Sequence, residues 1–217
     1  MNYQAIIFDL DGTLINSIDD IADAANFSLQ KNNYPTHEYS EFKDFVGRGI
    51  RNLMKAALPF NSTDDVIDNC LHDFVVYYRQ HCFDKTVLYD GIADMLDKLT
   101  EKNIKISILS NKSQELTTYI VQKLFSRWSF ELVFGASDQI KRKPNPEASL
   151  LIANLIGIIP QSILFVGDSQ FDVETAKAAG MSSVYVTWGF RNKEELKLTQ
   201  PTFLIDFPDQ LVSIIEE

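Results

Sequence analysis

Tyr3-Gln-Ala-Ile-Ile-Phe-Asp-Leu-Asp-Gly-Thr-Leu-Ile-Asn-Ser17 is the stretch on which the reading of the chain turns. Residues 3–8 are apolar without strict alternation, then break off at Asp9-Leu10-Asp11-Gly12. A run of that kind reads as a strand covered on both faces, the form that builds parallel sheets. Comparable short runs recur at Ile104–Leu109, Glu131–Phe134, Ser162–Val166 and Ser183–Val186. Helical patterns separate them at Ile92–Lys102, Ser113–Phe125, Glu147–Ile156 and Asp172–Ala179. Asn145-Pro146 resembles a cap followed by proline at the first helical position, and Gly157 suits the exit. Strand and helix thus alternate from residue 90 onward, which predicts an α/β fold with a Rossmann-like, doubly wound parallel sheet. A short strand at Thr202–Ile205 and a helix at Pro208–Ile215 complete it.

Residues 17–82 interrupt the alternation with helical patterns at Ser17–Asn32, Glu38–Val46, Ile50–Leu58 and Thr63–Cys82. Ser17 with Asp20, and Ser62 with Asp65, have the serine-x-x-acid spacing of capping boxes. The expected organisation is a core formed by 1–16 and 84–217, with an all-helical cap inserted at 17–83.

With 20 basic and 30 acidic residues among 217, the net charge is −10. Such a chain repels phosphate backbones and anionic lipid, so neither nucleic acid nor membrane is an expected partner. Cys70 and Cys82 are the only cysteines, and the N-terminus lacks a basic region followed by a long apolar one. A cytoplasmic protein with reduced thiols is expected, as a monomer or homodimer. Cys70, His72, His81 and Cys82 fall on one predicted helix where their side chains diverge, so no zinc site is read there.

In a parallel sheet, ligands bind beyond the carboxyl ends of the strands. There the chain places Asp9 and Asp11, Ser110 and Asn111, then Asp168 with Asp172, and Lys143 follows the Glu131–Phe134 run after a short loop. Crowded carboxylates repel unless a cation neutralises them, and hard oxygen donors favour Mg²⁺ together with substrate phosphate. A lysine and a serine hydroxyl beside such a metal suit the remaining phosphate oxygens. Phosphoryl transfer is the chemistry this set serves.

Asp9-Leu-Asp-Gly-Thr resembles the first motif of the haloacid dehalogenase superfamily, DxDGT. Ser110-Asn111 resembles the second motif, Lys143-Pro144 the third, and Gly167-Asp168-Ser169-x-x-Asp172 the fourth, in family order across nearly the whole chain. A helical insert directly after the first motif is similar to the C1-type cap. Val46-Gly47-Arg48-Gly49 and Thr187-Trp188-Gly189-Phe190 are similar to phosphoglycolate phosphatase-like members. The resemblance implies Asp9 as nucleophile, forming an aspartyl phosphate, and Asp11 as general acid and then base. It implies Mg²⁺ held by the Asp9 side chain, the Asp11 main-chain carbonyl and Asp168, with Asp172 as a further ligand or support. Ser110 and Lys143 are implied at the phosphoryl group, with Asn111 beside them orienting nearby groups. Arg48 in the cap is expected to reach an anionic part of the leaving group.

The superfamily's dehalogenases lack the second aspartate of the first motif, and Asp11 is present here, which speaks against dehalogenation. The expectation is Mg²⁺-dependent hydrolysis of a small phosphorylated metabolite, phosphoglycolate-like. A sugar-phosphate mutase, a pyrophosphatase or a nucleotidase on the same scaffold are the alternatives, and a non-enzymatic phosphate binder is the remotest.

Overall fold

The computed structural model describes residues 3–191 and 199–216. The chain divides into two compact units, Met1–Ile15 with Leu88–Glu217, and Asn16–Val87.

The first unit is built on a six-stranded sheet of β1 (Ala5–Phe8), β4 (Lys105–Ser113), β5 (Val133–Ala136), β6 (Ile163–Gly167), β7 (Ser182–Val186) and β8 (Phe203–Ile205). Their order is β5-β4-β1-β6-β7-β8, every neighbouring pair parallel. β1 therefore lies inside the sheet, with Ala5 opposite Lys105 on one side and Ile163 on the other. Its alternate residues face opposite sides, yet all four are fully buried, so both faces are covered. That is why the strand reads as unbroken apolar sequence. On one face, Ala5, Ile7, Ile163 and Phe165 pack against Ala148, Ile152, Ala153 and Ile156 of α7 (Glu147–Ile156) and Ala176 and Ala179 of α8 (Gln170–Ala179). The unit also holds α5 (Ile92–Glu101), α6 (Gln114–Leu124) and a terminal helix α9 (Asp209–Glu216). The sequence expectation of a doubly wound parallel α/β core is what the sheet shows.

Helix ends follow local chemistry. Asn145 accepts a hydrogen bond from the Glu147 N–H at 2.9 Å, and Gly157 closes α7 in the left-handed region at φ 72°. A capping pair not anticipated from sequence opens α8, where Asp172 accepts from both the N–H (3.0 Å) and the hydroxyl (2.6 Å) of Ser169.

The second unit is helical: α1 (Ile18–Lys31), α2 (Phe42–Phe45), α3 (Ile50–Ala57) and α4 (Asp64–His81). α1 and α4 lie side by side, tied by Ser28 Oγ donating to the Cys70 carbonyl at 2.7 Å and by Phe27 stacked on Tyr77. Two short strands, β2 (Ile15–Asn16) and β3 (Val87–Leu88), pair where the chain leaves and re-enters the first unit.

Three local expectations fail here, each for a physical reason. Ser17 makes no side-chain cap on α1. Its supposed partner Asp20 instead accepts from the N–H groups of Lys85 (3.0 Å) and Thr86 (2.8 Å) and the Thr86 hydroxyl (2.6 Å). That three-donor contact outcompetes a single local bond, and it draws residues 84–87 into the helical unit. Ser62 is not a cap either; Thr63 stands at the N-cap of α4 and accepts from Val66 N–H at a long 3.5 Å. The helix expected over Glu38–Val46 shrinks to Phe42–Phe45, because Asn26 pairs with both main-chain groups of His37 and Glu41 captures the Glu38 N–H.

Candidate active site

The carboxyl ends of β1, β4 and β6 deliver the site. Asp9 follows β1 directly and anchors its N–H on the Val166 carbonyl of β6 at 2.9 Å. Ser110 and Asn111 lie on β4, which runs on to Ser113 with a register shift after Leu109, rather than ending at Leu109 as expected. Asp168 follows β6, and Asp172 lies one turn into α8.

Lys143 is the centre of this arrangement. Its ammonium is buried and lies 2.7 Å from Asp9 Oδ1 and 2.6 Å from Asp172 Oδ1. A buried ammonium is tolerated only when charge and hydrogen bonds compensate its lost hydration, and two carboxylates do so here. Burial alone would depress its pKa, but Asp172 and Asp9 outweigh that and raise it, so the group stays charged. Asn111 fixes the lysine from behind. Its side-chain oxygen accepts the Lys143 N–H at 2.8 Å and its amide donates to the Lys143 carbonyl at 3.1 Å. Asn111 thus grips the main chain of Lys143.

Asp9, Asp168 and Asp172 each bring a carboxylate oxygen within 4.8 Å of the others, all three buried. Burial raises the pKa of Asp9 well above the usual range; Lys143 opposes this, and Asp172 and Asp168 add to it. Asp168 is pushed up to about 7, first by burial and then by Asp172, against the Phe190 N–H and the Arg191 and Lys143 charges. Three buried carboxylates with one lysine leave uncompensated negative charge, and hard oxygen donors of this kind fit a divalent cation such as Mg²⁺. The three are not equivalent. Both oxygens of Asp172 are engaged, one by Lys143 and the other by Ser169. Asp168 receives the Phe190 N–H on Oδ2 at 2.7 Å, and among the described residues its Oδ1 takes no hydrogen bond. Asp9 and Asp168 are therefore the better placed ligands, with Asp172 holding the lysine and the head of α8.

Asp11 meets a different cation. Lys112 Nζ lies 2.9 Å from Asp11 Oδ1, its side chain almost wholly buried. The Lys112 N–H donates to Ser110 Oγ at 3.2 Å. Lys112 has no place among the expected site residues, although it directly follows Ser110-Asn111. The segment Thr187–Phe190 was noticed but given no role. Trp188 Nε1 donates to the Thr13 carbonyl at 3.0 Å, and Phe190 N–H reaches Asp168. Gly189 has no room for a side chain: a Cβ there would lie 2.3 Å from Asp168 Cβ and 2.4 Å from the Gly12 carbonyl oxygen. Gly12 itself, at φ 84°, faces Asp168 just as closely. Arg48 belongs to the helical unit, between Gly47 and Gly49 at the entry to α3, and its carbonyl accepts from Asn52 Nδ2 at 2.8 Å.

A family model described as haloacid dehalogenase-like hydrolase matches residues 6–186, a span that holds Asp9, Asp11, Ser110, Asn111, Lys112, Lys143, Asp168 and Asp172. The chain belongs to the haloacid dehalogenase-like hydrolases. Among its relatives within that family, the phosphoglycolate phosphatase of Chromobacterium violaceum is 32% identical over 197 residues, 89% of each chain. That of Pseudomonas putida is 30% identical over 209 residues, covering 94% of this chain and 76% of the other. A crystal structure of a predicted phosphoglycolate phosphatase from Haemophilus somnus superimposes with a TM-score of 0.93 at 26% identity, over 99% of this chain and 98% of that one. Haloacid dehalogenase-like membership agrees with the four motifs and with the sheet that presents them. Among the described residues no helix is long and apolar enough to cross a membrane.

Proposed function

We propose that the chain is a Mg²⁺-dependent phosphomonoester hydrolase that works through a phosphorylated Asp9, with phosphoglycolate or a similarly small metabolite as substrate. The observation that carries the reading is the ammonium of Lys143 held between Asp9 and Asp172 with Asp168 beside them. A binding protein for phosphate has use for the lysine but none for a carboxylate nucleophile next to it. The phosphoglycolate phosphatase names of the relatives support the substrate class.

Asp9 Oδ attacks phosphorus and the bond to the leaving oxygen breaks, while Asp11 supplies the proton that oxygen needs. Water then attacks the phosphorus, gives a proton to Asp11, and the bond to Asp9 breaks to release phosphate. Lys143 and the Ser110 hydroxyl neutralise and orient the phosphoryl oxygens, and Asn111 keeps Lys143 in place through its main chain. Asp9, Asp168 and the Asp11 carbonyl would hold Mg²⁺, which supplies charge neutralisation at the phosphoryl oxygens. In the same proposal the helical unit serves as the cap, Arg48 reads the anionic part of the leaving group, and the enzyme works in the cytoplasm.

Phosphate release from phosphoglycolate, sugar phosphates, nucleotides and pyrophosphate, with and without Mg²⁺, tests the proposal. Release that needs Mg²⁺ and disappears in Asp9→Asn is expected. Isomerised sugar phosphate without free phosphate would establish a mutase instead, and full activity in Asp9→Asn would overturn the mechanism. Arg48→Ala is expected to change the ranking of substrates; an unchanged ranking would remove Arg48 from specificity.

A further inference from the structure

We infer that Lys112 is a positioning residue for Asp11, holding the acid–base carboxylate in its working place; this rests on the phosphatase reading above. Lys112 is anchored along its whole length. Its N–H is bonded to Ser110 Oγ at 3.2 Å and its carbonyl accepts from Thr117 Oγ1 at 3.3 Å. Its side chain is 5% exposed and its ammonium reaches Asp11 Oδ1 at 2.9 Å. Asp11 is less confined, with a side chain 19% exposed. It sits on the turn after β1, bridged to Ile15.

Burying an ammonium on a β-strand is unfavourable unless a partner compensates it, so Lys112 draws the Asp11 carboxylate toward one position. A short carboxylate chooses among staggered rotamers, and proton transfer requires one that comes within hydrogen-bond reach of the leaving oxygen. Lys112 selects among them. The two carboxylates of the Asp9-Leu10-Asp11 segment are thereby assigned separate cations: Lys143 for the nucleophile, Lys112 for the acid–base group. This division keeps the two carboxylates from competing for one lysine. It also gives the second motif a task besides phosphate binding, since the Ser110 hydroxyl accepts the Lys112 N–H.

The test compares two kinds of leaving group in rapid-quench experiments on the full chain. An alkyl phosphomonoester such as phosphoglycolate needs a proton on departure; p-nitrophenyl phosphate leaves as a stable phenolate and does not. Lys112→Met keeps the stem and removes the charge. Its rate of phospho-Asp9 formation is expected to fall at least about tenfold more on the alkyl than on the aryl substrate. Lys112→Arg, which preserves the pair, is expected to recover most of that difference. In an Asp11→Asn background, adding Lys112→Met is expected to have little further effect, because the group it positions is already gone. Equal losses on both substrates, or full additivity with Asp11→Asn, would overturn the inference and leave Lys112 a purely structural residue. Failure of the underlying phosphatase reading looks different, with no phospho-Asp9 in the wild-type protein on either substrate. If Lys112→Met does not fold, Lys112→Gln carries the same comparison.

Discussion

Gly189→Ala is the sharpest perturbation the site offers, since one methyl group meets a proposed metal ligand and a backbone atom at once. The new Cβ would lie 2.3 Å from Asp168 Cβ, 2.5 Å from its Oδ2 and 2.4 Å from the Gly12 carbonyl oxygen. Ordinary contact needs about 3.5 Å, so something must give by roughly 1 Å. The Gly12 oxygen is backbone in the turn that carries Asp11, and the softer response is to push Asp168 aside. Overpacking of this kind costs about 1–3 kcal/mol. Losing the Phe190 N–H bond to Asp168 adds about 1.5–3 kcal/mol, the range for a hydrogen bond to a charged group. Against this, Asp168 regains hydration that burial denied it, which offsets part of the loss. Stability without metal should therefore drop by only about 2 kcal/mol. Mg²⁺ binding has no such compensation, because a carboxylate displaced by roughly 1 Å leaves a coordination shell with tight tolerances. The dissociation constant for Mg²⁺ should rise at least about tenfold, or about 1.4 kcal/mol. Isothermal titration with Mg²⁺ alone and urea unfolding of the metal-free protein measure the two quantities. A variant that binds Mg²⁺ within about twofold of wild type would refute the reasoning.

Lys143→Met should destabilise the metal-free protein by about 3–5 kcal/mol, because it strands two buried carboxylates; a loss below about 1 kcal/mol in urea unfolding would contradict the ion-pair account. Asp168, raised to about 7 from its ordinary 3.8, binds its proton more tightly in the folded than in the unfolded chain. Its contribution to metal-free stability is therefore present at acid pH and lost as pH rises from about 4 through about 7. Asp168→Asn should flatten that part of the metal-free pH–stability curve, and identical slopes in the two proteins would show the titration lies elsewhere. Burial raises the pKa of the Cys70 thiol, so alkylation of Cys70 by iodoacetamide in the native protein should be far slower than in urea; comparable rates would mean the α1–α4 contact opens readily.

What could be read from the sequence was whatever local stereochemistry or strand-end placement decides. α7 was read with its observed ends because Asn145 and Gly157 act within a few residues of themselves. The apolar runs located the sheet strands for the same reason, since burial on both faces needs no partner identified in advance. The expected pairing of Asp20 with Ser17 fails because its true donors, Lys85 and Thr86, are 65 and 66 residues away and no spacing rule reaches that far. The role of Lys112 is hidden for a related reason. Its importance comes from Asp11, 101 residues earlier, which only the pairing of β1 with β4 brings alongside. The tasks of Trp188, Gly189 and Phe190 depend likewise on approach to Thr13 and Asp168, a property of packing rather than of pattern.

The interior position of β1 also bears on how the molecule is made. Its two neighbours begin at Lys105 and Ile163, so Ala5-Ile-Ile-Phe8 leaves the ribosome with no sheet partner. At about 5–20 residues per second, the first partner follows several seconds later and the second later still. Throughout that interval the nascent chain carries an apolar tetrapeptide with every backbone group unpaired, the kind of segment that invites association with other chains. Asp9 and Asp11 directly after it, followed by Asp19 and Asp20, keep that segment beside negative charge while it waits. The carboxylates of the proposed site thus adjoin an apolar segment that is unpaired in the growing chain. Limited proteolysis of stalled nascent chains should find β1 accessible until β6 has emerged, and early protection would show that it finds shelter by another route.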